Sequence, residues 1–296
     1  MEEKLVVKSV LVPVDFSVFT LKAARLGVRL AHDLNAEVTL LHSYYSPFYA
    51  GGMPINDAFA INDEGNDMIQ QQISKMHDQM EELVAILQHD MKQGDLPTCG
   101  IVTKFREGVP EEQILSYSNR HPQQIIIMGT HGNGFKESDL LGSVTAEVIE
   151  RSTVPVFAFP VDMPVESMAD CKHIGFLTNF EQQDLVAFET MMQLLKPYTF
   201  KVYFLHLSTE AETWDEIKLS GIKAYFEKQY SALDISYGVI CGDKLMQSLD
   251  EFIREQHLDV IAMMAHKRSI FSRLFNPSMA SKMLFHSNTP VLLLRP

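Results

Sequence analysis

A chain of 296 residues, 46% hydrophobic and 21% charged, carries enough apolar content for two packed cores of ordinary domain size, which excludes a disordered chain. Its formal net charge of −13 excludes long-range attraction to nucleic acid or an anionic membrane surface, because no segment supplies a basic face. The longest apolar runs fall far short of the ~20 residues that cross a bilayer, the first residues lack the layout of a signal peptide, and Cys99, Cys171 and Cys241 show no CxxC spacing, so a reducing cytoplasm is the expected setting, without disulfides, zinc or membrane.

In chain order, short apolar runs alternate with stretches of 3.6-residue periodicity, the pattern of a parallel sheet flanked by helices. Strands are expected at residues 9–14, 37–42, 98–105, 124–128 and 155–159. A loop rich in Gly, Pro, Asn and Asp, Tyr44 to Asp67, follows the second run, and a helix at Met68 to Met91 follows the loop. Its methionines suit core gaps, and His77, His89 and Asp90 on it match no metal-ligand spacing. A proline-broken acidic stretch at 161–171 then reads as a linker. Beyond it a second set of strands is expected at residues 173–178, 201–207, 234–240, 260–264 and 290–294. The division is therefore a first unit at 1–160 and a second at 172–296.

The second set repeats the first. VLVPVDFS at Val10 to Ser17 is echoed by IGFLTNFE at Ile174 to Glu181, and the step from Asp15 to LLHS equals that from Asn179 to FLHL. The step from Gly129 to Pro155 likewise equals that from Met264 to Pro290.

Chemistry concentrates in MGTHGNGFKESDLLGS, Met128 to Ser143. A buried-type strand ends at Gly129 and a helix starts near Ser143, so the segment lies at the carboxyl edge of the sheet, where ligands meet helix amides. Phosphate suits that position. Gly129 and Gly132 allow close backbone approach or positive φ, Gly142 clears the helix entrance, and Ser143 can cap the helix and donate its hydroxyl. A plain glycine turn is the alternative. No Lys-Ser or Lys-Thr follows the glycines, so this is no Walker A loop, and no GxGxxG follows the first strand. Asp15, closing the first strand, can accept from a ligand amine or hydroxyl, or can cap the next helix.

Gly129-x-x-Gly132, nine residues, then Gly142-Ser143, with PVDFS at Pro13 to Ser17, LLHS at Leu40 to Ser43 and EGVP at Glu107 to Pro110, resembles the universal stress protein family across a tandem pair. The resemblance implies an α/β fold of two tandem Rossmann-like domains of the adenine nucleotide alpha hydrolase kind, each a five-stranded parallel sheet flanked by helices. It further implies an ATP site, or one for another adenine nucleotide, with Mg²⁺ as an accompanying ion. Carried over, Pro13 and Asp15 meet the adenosine and Ser43 lines the adenine. Met128, Gly129, His131, Gly132, Gly142, Ser143 and Val144 surround ribose and phosphates, with a tolerated turn residue as the alternative for His131. Phe16 departs from the pattern, since many members have glycine there.

In the second unit Met264, Lys267 and Pro277 replace the three glycines, Asn179 replaces Asp15, and only Ser278 matches, so this half is expected to bind no nucleotide. The resemblance also implies pairing through last strands, which would dock the halves within one chain and leave further homodimerisation open. No GxSxG elbow or Cys–His signature names a catalytic residue. The leading reading is a cytoplasmic stress-response protein that acts by binding nucleotide. Its alternatives are a ligand-free interaction module, with the 44–67 insertion as contact surface, and a slow ATPase.

Overall fold

Ten strands and seven α-helices lie among the residues that the computed structural model describes, 6–44, 63–130, 142–160, 163, 166–208, 213–241, 244–264 and 289–295. The first half runs β1 (Ser9–Val14), α1 (Val18–Asp33), β2 (Glu37–Tyr44), α2 (Asp63–Gln93), β3 (Ile101–Glu107), α3 (Pro110–Arg120), β4 (Gln124–Gly129), α4 (Ser143–Arg151) and β5 (Val156–Phe159). The second runs β6 (His173–Thr178), α5 (Gln182–Leu194), β7 (Lys201–Ser208), α6 (Thr213–Gln229), β8 (Ile235–Cys241), α7 (Leu245–Glu255), β9 (Val260–Met264) and β10 (Val291–Leu294). Helix α2 starts inside the expected loop, at Asp63, where a cluster of acidic residues suits the positive end of a helix. Residues 45–62 of that insertion lie outside the described residues.

All ten strands form one sheet in the order β3-β2-β1-β4-β5-β10-β9-β6-β7-β8. Among the described residues every pairing within each half is parallel, and the one antiparallel pairing joins the halves, Val291 opposite Ala158 and Leu293 opposite Val156. Each half is thus a five-stranded parallel sheet in Rossmann-like order, and the two are tandem copies.

Helices cover both faces, so the strands read as nearly continuous apolar runs such as the buried Ile125-Ile126-Ile127 of β4. Alternate side chains serve opposite cores. Val10, Val12 and Val14 pack with α1, α2, α5 and α6, while Leu11, Ile126 and Met128 pack with α3, α4 and α7. Helix α1 lies tight on the sheet through Gly27, where a Cβ would come within 2.8 Å of Val12 Cγ2. Pro110 opens α3, Glu111 and Glu112 sit in its first turn and Arg120 in its last, an order that matches the helix dipole.

The second half is held by stacked rings. Phe188, fully buried, lies parallel to Phe226 with centroids 4.4 Å apart and meets Phe176 edge-on at 5.2 Å. Replacing Phe188 by alanine should lower stability by about 3–5 kcal/mol, read as a fall in the denaturant midpoint at unchanged slope.

Candidate functional site

Strand order reverses between β1 and β4, and a cleft of about 340 Å³ opens at their carboxyl ends. Pro13 and Asp15 come from the end of β1, His42 and Ser43 from β2, Met128 and Gly129 from β4, and Gly142, Ser143, Val144 and Thr145 from the start of α4. The cleft therefore gathers Pro13, Asp15, Ser43, Met128, Gly129, Gly142, Ser143 and Val144 from the residues expected at the site. His131 and Gly132 lie outside the described residues.

Hydroxyls and backbone fix the wall at the glycine segment. Thr145 Oγ1 donates to Gly129 O at 2.9 Å, Gly142 N donates to Thr130 O at 2.8 Å, and Thr130 N donates to Phe159 O at 2.9 Å, tying α4 to the ends of β4 and β5. Gly142, with φ −61° and ψ 141°, is the N-cap of α4, so Ser143 is its first helical residue rather than the cap expected of it. Gly142 has no side chain to cap this helix, and the first-turn residues Ser143, Val144 and Thr145 line the cleft.

The opposite wall is the β1–α1 turn. Asp15 Oδ1 accepts from Ser17 N at 3.0 Å and from Thr20 Oγ1 at 2.8 Å, so the carboxylate braces the turn while standing on the cleft wall. Phe16 takes φ +57°, the left-handed conformation in which glycine is at ease, and its ring lies 4.5 Å from that of His42. Ser17, also on the cleft wall, has a buried Oγ without a hydrogen-bond partner among the described residues.

His42, Ser17, Thr20 and Thr145 were not singled out by sequence. The one signal for His42 is its recurrence as His206 in the repeat. His42 Nδ1 lies 2.7 Å from Val14 O, which fixes the neutral tautomer with Nδ1–H donating, and burial pulls its pKa below the ordinary 6.5.

The second half builds its turn differently. Asp184, on α5, accepts at Oδ2 from Thr178 Oγ1 (2.9 Å), Asn179 N (2.8 Å) and Glu181 N (3.1 Å), so the acid lies within the helix and not at the strand end. Phe180 repeats the left-handed φ at +60° and stacks on His206 at 4.1 Å, and His206 Nε2 faces Asp215 at 3.6 Å. Met264 occupies the place of Gly129 and is buried. Lys267, Pro277 and Ser278 lie outside the described residues. Among the described residues no cluster of three or more His, Cys, Asp or Glu is placed to hold a metal ion, and no helix is long and apolar enough to cross a membrane.

A doubly wound sheet with its cleft at the switch point, where a helix starts, defines an α/β protein of the Rossmann-like type. The model of the universal stress protein family matches residues 7–160, just over half of the chain, and the chain belongs to that family. It is 29% identical over 150 residues to the universal stress protein MJ0531 of Methanocaldococcus jannaschii, covering 50% of this chain and 79% of that one. A universal stress protein from Archaeoglobus fulgidus has the same fold over 97% of this chain and 96% of its own, at a TM-score of 0.67 and 18% identity. The functionally unknown protein PA1789 from Pseudomonas aeruginosa matches 99% of this chain and 94% of its own at 0.60 and 13%.

Since burial lowers the pKa of His42 in the folded state below its ordinary 6.5, its contribution to stability is complete above pH 6.5 and falls away as pH drops below that value. Thermal melts between pH 7 and 5 should show a smaller acid-side loss for His42→Gln than for the wild type.

Proposed function

We propose that the first half binds one adenine nucleotide, ATP or a close relative, and that the protein acts in the cytoplasm as a nucleotide-responsive stress protein. The observation that carries this reading is the cleft at the switch point, where the start of α4 and the strand end that holds Asp15 line the same space. Its volume, about 340 Å³, falls in the range of small-ligand sites. Opening amides and the positive end of α4 suit phosphates despite a net charge of −13, because they act at hydrogen-bonding distance. Ser43 and His42 at the end of β2 offer the surface for the base, and Asp15 and Ser17 offer partners for ribose hydroxyls or ring nitrogens.

The proposed division is a binding unit at 1–160, a linker at 161–171 and a non-binding unit at 172–296. Met264 in the place of Gly129 and Asn179 in the place of Asp15 support this asymmetry. Mg²⁺, where present, would neutralise the phosphates. Binding is the activity, and a slow ATPase remains the alternative that measured turnover would revive.

Calorimetric titration of ATP should give one site per chain. Gly132→Val, which puts bulk without charge into the glycine turn, should weaken binding at least ten-fold with the melting temperature unchanged. Two equivalent sites, or unaltered affinity in a folded variant, would overturn the assignment.

Ser17→Ala separates ligand contact from fold. Because the hydroxyl makes no hydrogen bond to the described residues, its loss should cost the unliganded protein little. A lost ligand hydrogen bond of about 0.5–1.5 kcal/mol would weaken nucleotide binding roughly 2- to 13-fold in the same titration.

A further inference from the structure

The antiparallel join carries the end of the second half past the start of β5 and onto the far end of α4. Arg295, directly after β10, donates from Nη2 to Ile149 O and, at 3.3 Å, to Glu150 O, the last-turn carbonyls of that helix. The first turn of the same nine-residue helix fronts the candidate nucleotide cleft. One short helix is thus held at its carbonyl end by the second half and presents its amide end to the ligand of the first.

Repeat spacing that aligns Pro155 with Pro290 aligns Pro160 with Arg295, and proline has no side-chain donor, so the first half has no counterpart of Arg295 at that position. A cation at the carbonyl end also reinforces the dipole whose positive end faces the cleft. The guanidinium is partly buried, and burial lowers its pKa to about 10, which leaves it charged at neutral pH.

We propose that Arg295, supplied by the second half, is a positioning residue for phosphate binding in the first half, holding α4 so that its opening amides meet the phosphates. This rests on the nucleotide reading above. It gives the degenerate half a role in a site to whose lining it contributes none of the described residues. By linkage, a phosphate-bearing ligand in the cleft tightens the same contact in return.

The test uses the full chain with Arg295→Met, which keeps length and removes charge, and Arg295→Lys, which restores charge. Each is titrated with ATP and with adenosine, and amide hydrogen exchange across α4 is followed without ligand. Arg295→Met should exchange faster along α4 and bind ATP about five-fold more weakly, with adenosine unchanged within two-fold and Lys recovering most of the loss. Unchanged ATP affinity in a folded Arg295→Met protein overturns the positioning role, and so does an equal loss of ATP and adenosine, which would mark a merely structural effect. A wild type that binds neither ligand overturns the nucleotide reading itself, whatever the exchange along α4 shows.

Discussion

The antiparallel ladder between β5 and β10 is the constraint on which the rest of the molecule depends. Each half alone would end in a short, wholly apolar edge strand, Val-Phe-Ala-Phe on one side and Val-Leu-Leu-Leu on the other, with an open row of backbone donors and acceptors. Joining the two edges satisfies both rows and makes one sheet. It also merges the cores, since Phe157 and Phe159 of β5 pack in the same cluster as Leu292 and Leu294 of β10. Further links follow the join, Tyr198 OH to Asp33 at 2.6 Å and Lys22 Nζ to Met163 O at 2.6 Å among them.

The halves solve one geometric problem in two ways. Both turn from their first strand into a helix through a phenylalanine held left-handed, at φ +57° and +60°, and both pack that ring on a histidine bonded to the strand-end carbonyl, at 2.7 Å and 2.8 Å. The shared strain, about 1–2 kcal/mol per residue, is offset by the same ring contact in each. They differ in where the acid stands. In the first half it closes the strand and faces a cleft, whereas in the second Asp184 has moved into the helix and is satisfied by the turn it holds. A carboxylate used up in this way leaves the second turn a fold element.

Most of the architecture was legible because buried parallel strands announce themselves as apolar runs and the repeat supplied each assignment twice. Asp15 and Gly129 were legible for a related reason, since an acid or glycine at a strand end stands out against apolar neighbours. Ser17, Thr20 and Thr145 did not stand out. A hydroxyl takes its meaning from the atom opposite it, and for Thr145 that atom is Gly129 O, 16 residues back along the chain. Ser143 was misplaced by one residue as a cap because glycine also takes the extended cap conformation. Arg295 was beyond reach, because its partners Ile149 and Glu150 are set by an antiparallel join within an otherwise parallel sheet.

The order of the strands sets a timetable for synthesis. β5 leaves the ribosome after β1 to β4, when the first half has all of its own sheet, yet its partner is the last strand of the chain. Every residue from 160 to 290 must be made before Val291 to Leu294 can close that edge. Throughout that interval a nascent chain carries an unpaired apolar strand, the kind of surface that neighbouring nascent chains on one message can pair with wrongly. The linker and the early strands of the second half are therefore made while this edge is open.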